Sequence, residues 1–215
     1  MLTSEKSNSG QLVKLLLSFI LFTITLMILY RSLDYLKPNY WNSYLLDKRG
    51  YYQGLFKVGF WAHVCTAPLL CFIAIFQVVI LPLKLKKTHL VLGYTYVTLT
   101  LLLSAPGGII LSFYAFGGIL SKLSFFILSV LWAYFTINAL IHIKKRNIIQ
   151  HKVYTIKSFI LITSALTLRI LMFVFSYYYG WNGVSMYTTA SLSSWIVPLG
   201  IYEYYLLYYS KLKPQ

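Results

Sequence analysis

The chain has 215 residues and a formal charge of +15, with 59% apolar and only 11% charged side chains. Soluble domains carry roughly a quarter charged residues, and disordered chains lack this much apolar and aromatic side chain. Two cysteines exclude a disulfide framework, which leaves an integral membrane protein built as an all-α polytopic bundle.

Apolar runs bounded by charge or turn residues predict six transmembrane helices in a single membrane domain covering residues 1–215. The first covers residues 12–31, between Lys14 and Arg31, whose stems snorkel to the interface. Tyr30-Arg31-Ser32-Leu33 lacks the small residues of a cleavage site, so the segment reads as a retained signal anchor. An aromatic loop over 32–57 follows, suited to lie as a short helix on the outer surface. The second span covers 58–83, with Pro68 expected to bend it and Pro82 to end it. After the basic stretch Lys84, Lys86, Lys87, Thr88 is the expected N-cap of the third span, 89–113. Ala105-Pro106-Gly107-Gly108 interrupts that span, either to free carbonyls for a cavity or to let helices pack closely, and packing is the reading favoured. Gly117 and Gly118 mark a turn before the fourth span, 123–143; the fifth and sixth cover 151–177 and 189–209.

Of the nineteen Lys and Arg residues, twelve fall on the side of the even-numbered crossings and six on the other, with Arg169 inside a span. The bias puts both termini in the cytoplasm of a bacterial cell and the protein in its inner, cytoplasmic membrane. Basic flanks meet anionic lipid headgroups, so membrane lipids are the expected partners. Nucleic acid is not, because the charges gather on no single face. The tyrosines and tryptophans cluster at the interfaces as an aromatic belt.

Ionisable groups at membrane depth are costly and therefore mark candidate sites. His63 lies roughly 9 Å and Arg169 roughly 27 Å along their spans from opposite ends, which puts both in one outer layer. Lys157 and Glu203 fall at similar depth on the fifth and sixth spans, where an ion pair would offset the cost of burying either. His89, His142 and His151 all sit at the cytoplasmic rim. Neutral imidazoles on facing helices can clamp a haem iron, and Gly93, one turn past His89, leaves room for a flat ring. His89 and His151 are thus the candidate haem-iron ligands, with His142 and His63 as further cofactor-binding candidates. A second haem lacks a partner histidine for His63 near residues 124–128. Cys65 and Cys71, six residues apart, face different sides of one helix and read as small buried thiols. No hydrolase elbow, zinc-protease or phosphate-loop motif is present, and four acidic residues cannot furnish a paired-carboxylate site inside the membrane.

His89-Leu-Val-Leu-Gly93, Tyr96, Gly117-Gly118, Trp132, Thr136, the run from His151 to Ser158, Thr167-Leu-Arg169, Trp195 and Glu203 occur in an order that resembles a family of bacterial predicted membrane proteins, domain of unknown function 2306. The resemblance covers about the last two-thirds of the chain, and His63 fits a histidine in the preceding span. It implies the helical membrane architecture and adds Trp195 to the polar intramembrane candidates Arg169, Lys157 and Glu203. Family members often carry Arg where this chain has Tyr94, and Trp-Met where it has Tyr154-Thr155. The resemblance implies no reaction.

Three functional readings follow. The leading one is a redox or small-molecule-binding membrane protein that holds one b-type haem or a quinone near the cytoplasmic face. The second is a small transporter or permease with a polar path through His63, Arg169, Lys157 and Glu203. The third is a non-catalytic subunit that associates with a membrane-protein partner.

Overall fold

The computed structural model describes residues 16, 19–20, 22–30, 33–36, 45, 48–80 and 85–212. Six helices run through it. They are α1 over residues 22–30, α2 Gly54–Ile80, α3 Lys86–Ser112, α4 Gly118–Lys144, α5 Ile148–Tyr179 and α6 Gly183–Leu212. Among the described residues, four helical stretches are long and apolar enough to cross a membrane: Gly54–Gln77, Lys86–Ser112, Gly118–Lys144 and Ile148–Tyr179. The longest, α5, has 32 residues and so extends about 48 Å, against about 30 Å of hydrocarbon. α6 is similarly long, but Ser and Thr fill its first half and Tyr its second, which lowers its hydropathy. Of the first expected span, only fragments lie within the described residues.

α2, α3, α4 and α5 close into a ring. α1 lies beside α2, with Phe22 edge-on to Phe72 and Thr25 hydrogen-bonded to Cys71 at 3.4 Å. α6 rests on the other side against α4 and α5. The core between them combines Leu70, Ile75, Trp132, Phe135, Leu161, Leu166 and Trp195. One end of the bundle carries Lys86, Lys87 and the α4–α5 turn, with Lys144, Lys145, Arg146 and Lys152; it is the basic end. The opposite, aromatic end is closed by Leu45, Phe56 and Phe60, against which Tyr35, Tyr52, Trp61 and Tyr114 pack. The loop before α2 contributes two short 3-10 turns, Leu33–Leu36 and Arg49–Tyr51, to that end.

Two turns set how the ring closes. Gly117 caps α4 with φ +93°, and a Cβ there would collide with Ser121 Oγ, so only glycine fits. At the basic end α4 stops at Lys144, and Arg146 takes the left-handed conformation at φ 59°. The Asn147 side chain then accepts a hydrogen bond from Gln150 N at 3.1 Å and starts α5. This tight reversal brings His142 and His151 to the same end.

The Ala105–Gly108 segment does not break α3. Pro106 has no N–H and its ring crowds the preceding turn; the helix responds by widening into a π-turn over Thr100–Ser104, with Ala105 N donating to Thr100 O, and then continues to Ser112. Gly107 is pressed against α2, and Gly108 against both α4 and α2. A Cβ on Gly107 would lie 2.7 Å from Gly59 O and 3.0 Å from His63 N, and one on Gly108 would lie 2.7 Å from Ser129 Oγ. Close packing is thus the role of these glycines.

Two expectations require correction. α3 begins at Lys86 with Leu85 in the cap position and no side-chain cap bond, so Thr88 lies inside the helix. Cys65 is exposed on the outer face of α2, and only Cys71 is buried. Pro68 lies within α2, while Pro82 falls outside the described residues.

Candidate functional site

The basic end gathers polar side chains from four helices. Gln77, near the end of α2, donates from Nε2 to the His89 carbonyl oxygen at 3.1 Å and so ties α2 to the first turns of α3. On α5, His151 Nδ1 donates to the Ala139 carbonyl of α4 at 2.9 Å. A carbonyl can only accept, so Nδ1 carries a proton, and in the neutral ring Nε2 is the nitrogen with the lone pair. His89 and His151 stand at the same end, within electrostatic range of one another. The His142 ring stacks on Tyr154 with centroids 5.2 Å apart and planes at 7°. Three atoms here are buried without a hydrogen-bond partner among the described residues: Gln77 Oε1, His89 Nδ1 and His142 Nδ1.

Gly93 does leave space, and the Gln77 amide borders it. A Cβ on Gly93 would lie 3.4 Å from Gln77 Nε2, an ordinary contact distance. Among the described residues, no group of three or more His, Cys, Asp or Glu side chains could hold a metal ion.

Above this rim, toward the bundle centre, lies a buried hydroxyl network. Trp132 Nε1 donates to Tyr96 OH at 2.9 Å; Tyr96 and Ser158 share a hydrogen bond of 2.9 Å, as do Ser158 and Thr136. These bonds bring α3, α4 and α5 together through side chains alone. Lys157 meets Glu203 at 2.6 Å, pinning α5 to α6, and its ammonium lies over the Phe135 and Tyr154 rings at 5.4 and 5.6 Å. Trp195 Nε1 donates to Ser124 Oγ at 2.9 Å, and Ser124 donates to Ser191 O at 3.0 Å, so Trp195 fastens α6 to α4.

The helical model and the order of these residues meet one family description. The model for Predicted membrane protein (DUF2306) matches residues 60–206. The chain belongs to the DUF2306 family. No curated protein and no solved structure matches it. All the positions that carry the resemblance, from His89 to Glu203, lie inside the matched region, and so do both ends of the bundle's polar interior.

The remaining candidates sit toward the aromatic end. His63 Nδ1 donates to the Ser104 carbonyl at 2.9 Å, far from the rim histidines. Arg169 donates to Ala165 O at 2.8 Å and lies within electrostatic range of His63, Tyr35 and Tyr187. The structure thus separates the four histidines into a group of three and an isolated His63. Gln77, Thr100 and Ser104 were not among the sequence candidates. The signal for Thr100 and Ser104 was present on α3, where His89, Gly93, Tyr96, Thr100 and Ser104 follow at spacings of four, three, four and four, the period of one helix face.

Proposed function

We propose that this multi-pass membrane protein binds a small amphiphilic molecule of the quinone class at its basic end, between α2, α3 and α4. The observation that carries the reading is the set of three unpartnered buried atoms, Gln77 Oε1, His89 Nδ1 and His142 Nδ1, at one end of the bundle. A buried donor or acceptor left unpaired costs about 1–3 kcal/mol, and a bound polar head removes that cost. A quinone oxygen accepts from a His89 N–H; the hydroxyl of the reduced form donates to Gln77 Oε1. The exposed apolar side chains Leu90 and Val91, beside His89, suit the ligand's apolar part. The charge bias supports a location in the cytoplasmic membrane with this end facing inward.

A haem is the weaker occupant. His151 has the tautomer of an iron ligand, its other ring nitrogen held by a carbonyl. The Gln77 amide nevertheless borders the space beside His89 and would have to leave the His89 carbonyl for a macrocycle to enter.

The test is calorimetric titration of the purified, detergent-solubilised protein with a short-chain naphthoquinone. Saturable binding at one molecule per chain is expected, weakened about tenfold or more by His89→Ala or Gln77→Leu, since each tenfold is about 1.4 kcal/mol. Equal affinity in wild type and both variants rules the site out. A Soret band after haem reconstitution, lost in His151→Ala, would replace the quinone by haem.

A further inference from the structure

We propose that the interior face of α3 is a proton path, running from the basic-end histidines to His63 near the aromatic end. The inference goes beyond ligand binding and does not depend on it, because a proton path works whether or not a quinone is bound.

The path is laid out by position. His89, Tyr96, Thr100 and Ser104 follow one another along a single face of α3, and the π-turn widens the helix where Thr100 and Ser104 sit. That widening keeps two hydroxyls four residues apart on the interior side. π-turns occur frequently at functional sites. Thr100 and Ser104 are both fully buried, and Thr100 Oγ1 and Ser104 Oγ have no hydrogen-bond partner among the described residues. Their carbonyl neighbourhood is engaged differently: Ser104 O accepts from His63 Nδ1 at 2.9 Å. Polar groups buried in this way are commonly met by ordered water, which makes about three hydrogen bonds. Two hydroxyls one turn apart, unpaired and facing inward, form a place for such water.

Below them three hydroxyls are already joined to one another. Trp132 donates to the Tyr96 oxygen at 2.9 Å, which leaves the Tyr96 proton free to bond Ser158, and Ser158 in turn shares a hydrogen bond with Thr136. At the basic end, His89 Nδ1 and Gln77 Oε1 supply a titratable nitrogen and an acceptor without partners.

The chemistry favours a proton over a metal cation. A hydroxyl or a water can accept one hydrogen bond while donating another, so along a filled chain a proton entering at one end displaces a different proton at the other with no net bond made or broken. A metal cation needs converging oxygen acceptors. Here the His63 N–H occupies the Ser104 carbonyl, and the described residues include no carboxylate on this face. Arg169 lies within electrostatic range of His63 at this end.

The test uses the full chain reconstituted in liposomes with a pH-sensitive dye inside, potassium and valinomycin clamping the potential, and an external pH step. Wild-type vesicles are expected to dissipate the gradient several-fold faster than empty ones. Thr100→Val with Ser104→Ala, which keep side-chain shape but remove the hydroxyls, should return the rate to near that of empty vesicles, and Tyr96→Phe should lower it. Elution volume and thermal unfolding establish that each variant is folded. Should the double variant fail to fold, the wild-type rate in heavy water provides the second reading, slower if protons hop along hydroxyls and water. The proposal is overturned by a wild-type rate no faster than empty vesicles. It is equally overturned by a folded double variant as fast as wild type, or by a wild-type rate unchanged in heavy water.

Discussion

Gly107 determines how near α2 and α3 can come. Its absent side chain lets Gly59 O and the His63 backbone approach to within 3.0 Å of where a Cβ would stand. Backbone atoms cannot rotate away, so Gly107→Ala must push the helices apart. The expected cost is about 1–3 kcal/mol, the range for overpacking a tight core, read as a lower midpoint of thermal unfolding in detergent. Gly93 is the contrasting case. Its nearest neighbour is the movable Gln77 amide at 3.4 Å, and alanine is the better helix former by about 1 kcal/mol. Gly93→Ala should leave the midpoint unchanged or raise it. A loss at Gly93 as large as at Gly107 would contradict this account of both glycines. Either residue read from the sequence is simply a small residue in a span; what lies opposite decides its role.

At the level of elements, the seam between α4 and α6 explains why a helix of modest hydropathy holds its place. Lipid is as apolar as leucine, so apolar matching gives two membrane helices little reason to associate; close packing and hydrogen bonds do. Ser121 donates to Thr188 Oγ1 at 3.1 Å, Thr188 donates to Gly117 O at 2.9 Å, and Ser124 receives Trp195 Nε1. Ser121, Ser124, Ser191 and Ala190 are fully buried, and their small size lets the helices approach. Ser124→Ala leaves the buried Trp195 N–H without its acceptor, at an expected cost of about 1–2 kcal/mol. Trp195→Phe removes the same bond from the other side. A double-mutant cycle in detergent unfolding should therefore show a coupling of about 0.6–1.5 kcal/mol between the two positions. A coupling of zero would mean that Trp195 acts by its bulk alone. The sequence marked Trp195 as a polar residue at depth, but its serine partner lies on another helix.

For the molecule as a whole, the Lys157–Glu203 pair locks the outer helix α6 to the ring. Lys157 is nearly buried, with 13% of its side chain exposed, whereas Glu203 is 43% exposed. Removing one partner leaves a charge at membrane depth, and Lys157→Gln or Glu203→Gln is expected to lower stability by about 1–3 kcal/mol, less than for a fully buried pair. The reversed pair, Lys157→Glu with Glu203→Lys, should recover most of that loss in folded yield and unfolding midpoint. Its failure to do so would show that the Phe135 and Tyr154 rings, which favour an ammonium on the α5 side, matter more than the carboxylate.

Composition and hydropathy by themselves determined the helical membrane class, five apolar segments that overlap α2 to α6, and the matching levels of Lys157 with Glu203 and of His63 with Arg169 along the bundle. These follow from length, because a rise of about 1.5 Å per residue converts sequence position into depth without knowledge of any neighbour. Which way each helix is rotated, and what fills the space between two of them, was decided only by tertiary packing. Hydropathy is nearly uniform around a helix bathed in lipid, so it carries little rotational information. That is why the Gln77 amide against Gly93, the unpartnered Thr100 and Ser104 hydroxyls at the π-turn and the outward-facing Cys65 emerged from the folded bundle alone.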